Sequence, residues 1–426
     1  MFSLIEALVE RDEFVCLVEH IPKNSHFSFA LTCHATSKEV VKLYLRKKEQ
    51  LKTTYASLVS SVALVEWSLE VGCIWESPIC LEAAKGGYLD VLKWVRQKNF
   101  AWHGLVCNKA AKGGHLEVLK WARENGCPWD KYTCSSAASG GHLNVLQYLH
   151  EKGCPWNADT CAQAAIKGHL KVLRYAHEHG CPWDTRTCFY AAEDGNIEEL
   201  RYAHEHGCPW DERTCFYAAK GRQLETLRYA HEHGCPWDEE TCCHAALGGY
   251  LEILMYAHEH GCPWSERTCT VAAQEGHFAV LKYAHEHGCP WNTSTCYWAS
   301  SGRNLEILRY AHEHGCPWDE DTCLAAAHGG HFEILKYAHE HGCPWDAHTC
   351  SSSAREGHLD ILKYVHEHGC PWDADTCSSS AREGHLEILK YAHEHGCPWN
   401  SYTYKVALAG GHQDVIQYLH DNGLDM

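Results

Sequence analysis

The chain repeats itself every 27 residues. Cys-Pro-Trp begins at Cys127, Cys154, Cys181, Cys208, Cys235, Cys262, Cys289, Cys316, Cys343, Cys370 and Cys397, and every step is 27. One step back gives "FAW" from Phe100, and another gives "CIW" from Cys73. A degenerate unit over roughly 46–72 keeps "VALVEWSLEVG", and the chain ends at "GLDM", where a new unit would open. The consensus is C-P-W-D-x-x-T-C-x-x-A-A-x-x-G-H-L-E-I-L-K-Y-A-H-E-H-G. The units near 350 and 377 share "TCSSSAREGHL" outright, the mark of a duplication. No unit has enough apolar surface for its own core, but stacked units share one. Residues 46–426 are therefore predicted to form about 14 units of an all-α, helix-turn-helix solenoid. With helix layers ~9–10 Å apart, such a stack would span on the order of 130 Å.

Each unit reads as two helices. Asp, Asn or Ser at positions such as Asp211 can accept backbone N–H bonds as an N-cap. A small Thr-Cys-x-x-Ala-Ala run follows and stops at Gly. The second helix runs from "HLEIL" to "HEH" and ends at Gly, suited to a left-handed C′ position. Cys-Pro comes next, and proline cannot continue a helix.

The segment "AAKGGHLEVLKWARENG" (110–126) resembles the "AAxxGHLEVVKLLLxxGAD" core of the ankyrin repeat, and the likeness recurs over about 380 residues. The unit is shorter than the 33 residues of an ankyrin repeat, so the β-hairpin between neighbours looks reduced to a Cys-Pro-Trp turn. The chain is similar to the short ankyrin-like arrays of large DNA viruses and some protists. This resemblance implies a scaffold that binds a partner protein, without naming the partner.

A formal net charge of −18 argues against a nucleic-acid role driven by phosphate neutralisation. No stretch of 18 apolar residues is present to span a membrane, and "MFSLIEALVERDEF" lacks the basic flank of a signal peptide. An intracellular protein, cytoplasmic or nuclear, with mostly reduced cysteines is expected. No glycine-rich phosphate loop or singular nucleophile stands out. Repetition itself argues against catalysis, so no enzyme and no cofactor are expected.

With 27 cysteines and 35 histidines, zinc has to be weighed. His-x-His-x-Cys, with a second Cys seven residues on, offers four ligands of the right type per unit. Three observations count against it. His231 shares the apolar stripe of Leu224 and Leu227, whereas His233 lies about 180° around the helix from Leu224. Cys127 and Cys134 are both present although the preceding helix, "WARENG", has no histidine. Finally, Phe100 replaces a first Cys and Tyr404 a second, which a small buried hydrophobe tolerates better than a metal ligand. Packing cysteines are the expectation, with no metal. Disulfides stay open. Pairing within units strands Cys107 and Cys397, while pairing each second Cys with the next unit's first strands only Cys73 and Cys80.

The first His of HEH is expected to be partly buried and satisfied by a carbonyl or hydroxyl, and the second to be solvated. The His of "GHLE" is expected to stabilise its turn. A pH sensor built from HEH copies is the alternative use. Thirteen of 17 tryptophans keep the 27-residue spacing, from Trp75 to Trp399, and are expected to stack one beside the next as core.

Residues 1–45 lack the period. "EHIPKNSHFSFALTCHATSKEV" (19–40) loosely resembles the second half of an F-box, which would dock on a ubiquitin-ligase scaffold. The other reading is a helical cap over the first unit.

Positions that drift between units mark a candidate binding surface. After the Asp cap they are Arg186, Arg213, Glu240, Arg267 and His348. Before the second Gly they are Glu193, Asp194, Gln274, Glu275, Arg355, Glu356, Arg382 and Glu383. In an ankyrin-like layout these edges line one groove beside the first helices.

Overall fold

A computed structural model describes residues 59–70, 78–99 and 102–424. Among the described residues there are 27 helices and no strand. Helix Val62–Glu70 is followed by thirteen helix pairs, from Ile79–Gly86 with Leu89–Gln97 to Ser401–Gly410 with Gln413–Asp421. The cap or F-box-like segment expected at residues 1–45 lies outside the described residues, as do Cys73, Trp75 and Phe100. The chain divides into two compact halves, with the boundary between Trp210 and Asp211. Five of the pairs belong to the first half and eight to the second.

The pair Glu212–Lys220 and Leu224–Glu232 shows how the sequence builds a repeat. Asp211 is extended, and its carboxylate accepts the Arg213 N–H at 3.2 Å, satisfying an end group that the helix cannot. Thr214, Cys215, Ala218 and Ala219 are buried. Their small size lets the first helices of successive repeats pack closely into one layer within each half. On the second helix Thr226, Leu227 and Ala230 are buried. Leu227 is fully inaccessible, as is its counterpart in most repeats, and burying each contributes roughly 1.5–3 kcal/mol.

The second helix ends as the glycine suggested. Gly234 takes φ +82°, its N–H bonds His231 O at 3.0 Å, and the Cys235 N–H reaches Ala230 O at 2.9 Å. This is a Schellman cap. The passage through Cys-Pro-Trp to the next N-cap holds no strand among the described residues. The hairpin of longer repeats is replaced by a turn.

The tryptophans do not stack on one another. From Trp183 onward each half-buried ladder Trp lies instead against the first His of the preceding HEH: Trp183 on His177 at 3.8 Å, Trp264 on His258 at 3.9 Å, Trp318 on His312 at 4.0 Å; Trp102 and Trp129 take Arg96 and Arg123 in that place. Its edge meets a tyrosine of the next second helix, as Trp291 meets Tyr310 at 6.4 Å. The 27-residue spacing places tryptophans in register, but the His and Tyr rings stand between them.

In most repeats the same His, as expected, is satisfied by a hydroxyl; His231 Nδ1 and the Tyr256 hydroxyl are buried without a bond. His285 Nδ1 lies 3.0 Å from the Tyr310 hydroxyl, and His366 Nδ1 2.9 Å from that of Tyr391. Each such bond joins one repeat to the next. The second His is more than a solvated residue. Nδ1–H of His233 donates to Tyr229 O at 2.8 Å, closing its own helix, and the ring leans on Tyr229 at 4.1 Å.

The "GHLE" histidine also differs from its expected role. It serves the preceding repeat rather than its own turn. His142 Nε2–H donates to Lys112 O at 3.1 Å, and His385 to Arg355 O at 3.0 Å, each a last-turn carbonyl of the previous first helix. Asn196 and Asn304 substitute with an amide, donating to Ala165 O and Ala273 O, both at 2.8 Å. In some repeats a glycine lies under the ring. A Cβ on Gly113 would meet the His115 ring at 2.5 Å and Lys85 O at 2.8 Å.

Candidate partner-binding face

The first helices leave one stripe exposed at its ends and, in some repeats, half-exposed at its middle. On Glu212–Lys220 it comprises Arg213, Phe216, Tyr217 and Lys220, spaced i, i+3, i+4 and i+7 and so on one side of the helix. The drifting positions found in the sequence are the two ends of this stripe. Arg186, Arg213, Glu240, Arg267 and His348 lie in first turns. Glu193, Asp194, Gln274, Glu275, Arg355, Glu356, Arg382 and Glu383 lie in last turns or at the cap beyond. Seven residues of rise separate the ends by roughly 10 Å.

Within each half the stripes are linked sideways. In the first half the Arg186 guanidinium bonds Asp184 at 2.9 Å and Asp159 of the preceding repeat at 2.5 Å. Those carboxylates, Asp184 first, hold Arg186 above its ordinary basicity. Hydrogen bonds from Asn157 and Arg186 outweigh burial and lower Asp159. Lys167 stands 3.9 Å from Asp194. In the second half Arg267 pairs with Glu240, which also lies 3.7 Å from His244. Arg213 pairs with Asp211 at 2.6 Å. His328 stands 3.4 Å from Glu356, and Arg382 donates to the Tyr402 hydroxyl at 2.8 Å. Gln274 donates to Glu275 at 3.1 Å. Exposed pairs of this kind are weak, so a partner can exchange them for its own charges.

The middle of the stripe was not singled out by sequence reasoning. It falls on the two unassigned positions between Cys and Ala-Ala. In the first half it holds Tyr190, whose ring meets that of the buried Phe189 at 4.6 Å, and a polar hollow lined by Lys112, Tyr132, Ser135, Asp159 and Gln163. In the second half it holds Phe216 and Tyr217, then Phe216 edge-on to His244 at 4.4 Å, then Tyr297 against Trp298 at 5.1 Å. Further along the same positions hold Ser351, Ser352, Ser378 and Ser379, which are buried, so the exposed stripe is reduced there to its two ends. The signal was available, because these positions change from aromatic to serine between repeats.

The cysteines and histidines do not converge. Among the described residues no group of three or more His, Cys, Asp or Glu side chains could hold a metal ion. The two histidines of each HEH are engaged with different partners, as His285 with Tyr310 and His287 with Tyr283 O. A chelator is expected to leave the melting temperature unchanged. Elemental analysis showing near-stoichiometric zinc per repeat, with unfolding on chelation, would reverse this reading.

No family model matches the chain, and no curated protein matches it. It is a helical-repeat array. Among solved structures, a human ASB11 ankyrin repeat domain aligns with 38% of this chain and 85% of its own length, at 18% identity and a TM-score of 0.32. That likeness is local and weak; the fold stands on the helix pairs themselves. No described helix is long and apolar enough to cross a membrane.

Proposed function

We propose that the protein is a non-enzymatic, ankyrin-like scaffold that binds a partner protein along the uncovered stripe of its first helices. One observation carries this reading. The packing positions are dominated by Cys, Ala and Leu from repeat to repeat, while the first-helix stripe varies in charge, ring content and size. Packing accounts for the first, and recognition of a particular surface accounts for the second. The stripe carries Tyr217, Tyr297, Trp298, Arg213 and Arg267, residue types that dominate binding energy at interfaces. Charged ends flanking aromatic centres select a partner by complementary charge as well as shape.

The test begins with affinity capture from cells. With a partner in hand, reversing Glu356 and Glu383 together to lysine is expected to weaken binding at least about tenfold, or about 1.4 kcal/mol, with the melting temperature unchanged. Matching reversals at Lys336 and Lys363, on the second helices Phe332–Glu340 and Leu359–Glu367, are expected to do little. Equal effects from both sets would remove the stripe as the binding site.

A narrower reading makes the array the substrate receptor of a ubiquitin ligase, resting on the F-box-like residues 19–40. Capture with and without residues 1–45 separates the two. Loss of ligase components alone supports the receptor reading, and capture of none by either chain removes it.

A further inference from the structure

The repeated cysteines are buried, yet they are not scattered through the core. The second Cys of each repeat faces the first Cys of the next, twenty residues on, from Cys107 and Cys127 to Cys377 and Cys397. In the second half, for example, Cys377 Sγ lies 4.0 Å from Cys397 O, and Cys397 Sγ–H donates to Asp373 O at 3.2 Å. Cys107 Sγ lies 4.0 Å from Cys127 O, and Cys134 Sγ 3.9 Å from Cys154 O. Eleven such pairs occur, and none includes residues of both halves.

At the end of the array one pair is replaced as a unit. The last repeat has Tyr404 at the second position and Leu424 at the first position that would face it, and both pack against the same core cluster. At the start of the array Cys80 keeps its thiol although position 100 is Phe.

We infer that the facing cysteines are disulfide-forming sites, through which an oxidising environment stitches each repeat covalently to the next. The co-reactant is a low-molecular-weight disulfide. One thiolate attacks it, forms a mixed disulfide and releases one thiol. The facing thiolate then attacks the mixed disulfide, forms the Cys–Cys bond and releases the second thiol. Two cysteine thiols become one disulfide, one molecule of reagent disulfide becomes two thiols, and the two protons leave with them. In the closed fold the neighbouring thiol and burial push one thiol of each pair far above its ordinary range, as at Cys215 and Cys242, so thiolate is scarce. Reaction therefore follows opening of a repeat boundary or accompanies folding, and the folded reduced chain oxidises slowly.

Two cysteines serve as internal controls. The residue twenty positions after Cys80 is Phe100 rather than Cys, and Cys243 is an additional buried thiol outside the twenty-residue register. The full chain is refolded from denaturant in oxidised glutathione, alkylated and mapped by mass spectrometry. The expected linkages join cysteines twenty residues apart, with Cys80 and Cys243 alkylated. The denaturant midpoint rises on oxidation and returns on reduction. Linkages within repeats, such as Cys127 to Cys134, a scrambled mixture, or fully alkylated thiols after refolding would each overturn the inference. Cys242→Ala provides a second check. It should free Cys262 for alkylation and leave the other ten linkages in place, whereas capture of Cys262 by a different cysteine would count against the facing register.

Discussion

Replacing Trp237 with alanine is expected to cost about 2–4 kcal/mol and to loosen the array around it while distant repeats stay closed. The Trp237 indole lies on the His231 ring at 3.9 Å and meets Tyr256 at 6.4 Å, so it fills the corner where two second helices and a turn converge. Full burial of a tryptophan would put the cost higher; the half-buried state places it lower in the range. Alanine leaves the His231 face and the Cys235 turn without cover. In an array whose repeats touch only their neighbours, the damage stays near its source. Hydrogen exchange should rise in Leu224–Glu232 and Leu251–Glu259 and remain unchanged in Leu386–Glu394. Unchanged stability and exchange would show that the His–Trp–Tyr stack is not a source of cohesion.

The second large effect is loss of stability in acid. His177, His231, His258, His285, His312, His339 and His366 are all held below the ordinary imidazole range, first by burial and then by the imidazole of the next repeat's second His. The paired rings are 5.3–5.6 Å apart, and the glutamate beside each opposes the shift without cancelling it. The unfolded chain takes up protons near pH ~6.5, where the folded chain still refuses them. Stability from these groups is complete above that pH and is lost as pH falls through the lowered folded values. Seven groups of one sign make the dependence steep. The urea midpoint should fall sharply between about pH 7.5 and about pH 5. His285→Gln should flatten the dependence, since glutamine can still bond the Tyr310 hydroxyl but takes no proton. A flat midpoint across that range would show that protonation is absorbed without opening the stack.

Much of this architecture was legible in the residues. The 27-residue period, the Asp caps, the terminal glycines and the small-residue stripe around Cys215, Ala218 and Ala219 are local signals, and each describes a single helix or turn. What crosses a repeat boundary was not legible. Trp183 stacking on His177, His142 reaching Lys112 O, and His285 meeting Tyr310 depend on how one repeat sits on the next, which periodicity does not state. The cysteines show the limit well. Counting left within-repeat and between-repeat pairing both open, and the facing of Cys242 and Cys262 favours the second. The binding stripe was half visible: variable ends such as Arg186 and Glu356 stood out as charge changes, while Phe216 and Trp298 hid in two positions that look empty in a consensus.

The contacts between repeats recur at fixed sequence steps: twenty for facing cysteines, twenty-five for His with Tyr, thirty for His with a helix-end carbonyl. Most repeats thus present the same socket upstream and the same plug downstream. An in-frame deletion or duplication of one copy inside a half rejoins matching surfaces and leaves no cut face behind. Gene segments encoding such copies can be lost or gained by unequal recombination with little penalty in folding. The near-identical stretches at 350–359 and 377–386 fit that history. Array length then becomes a freely adjustable trait, and selection is left to act on what each copy displays on its open side.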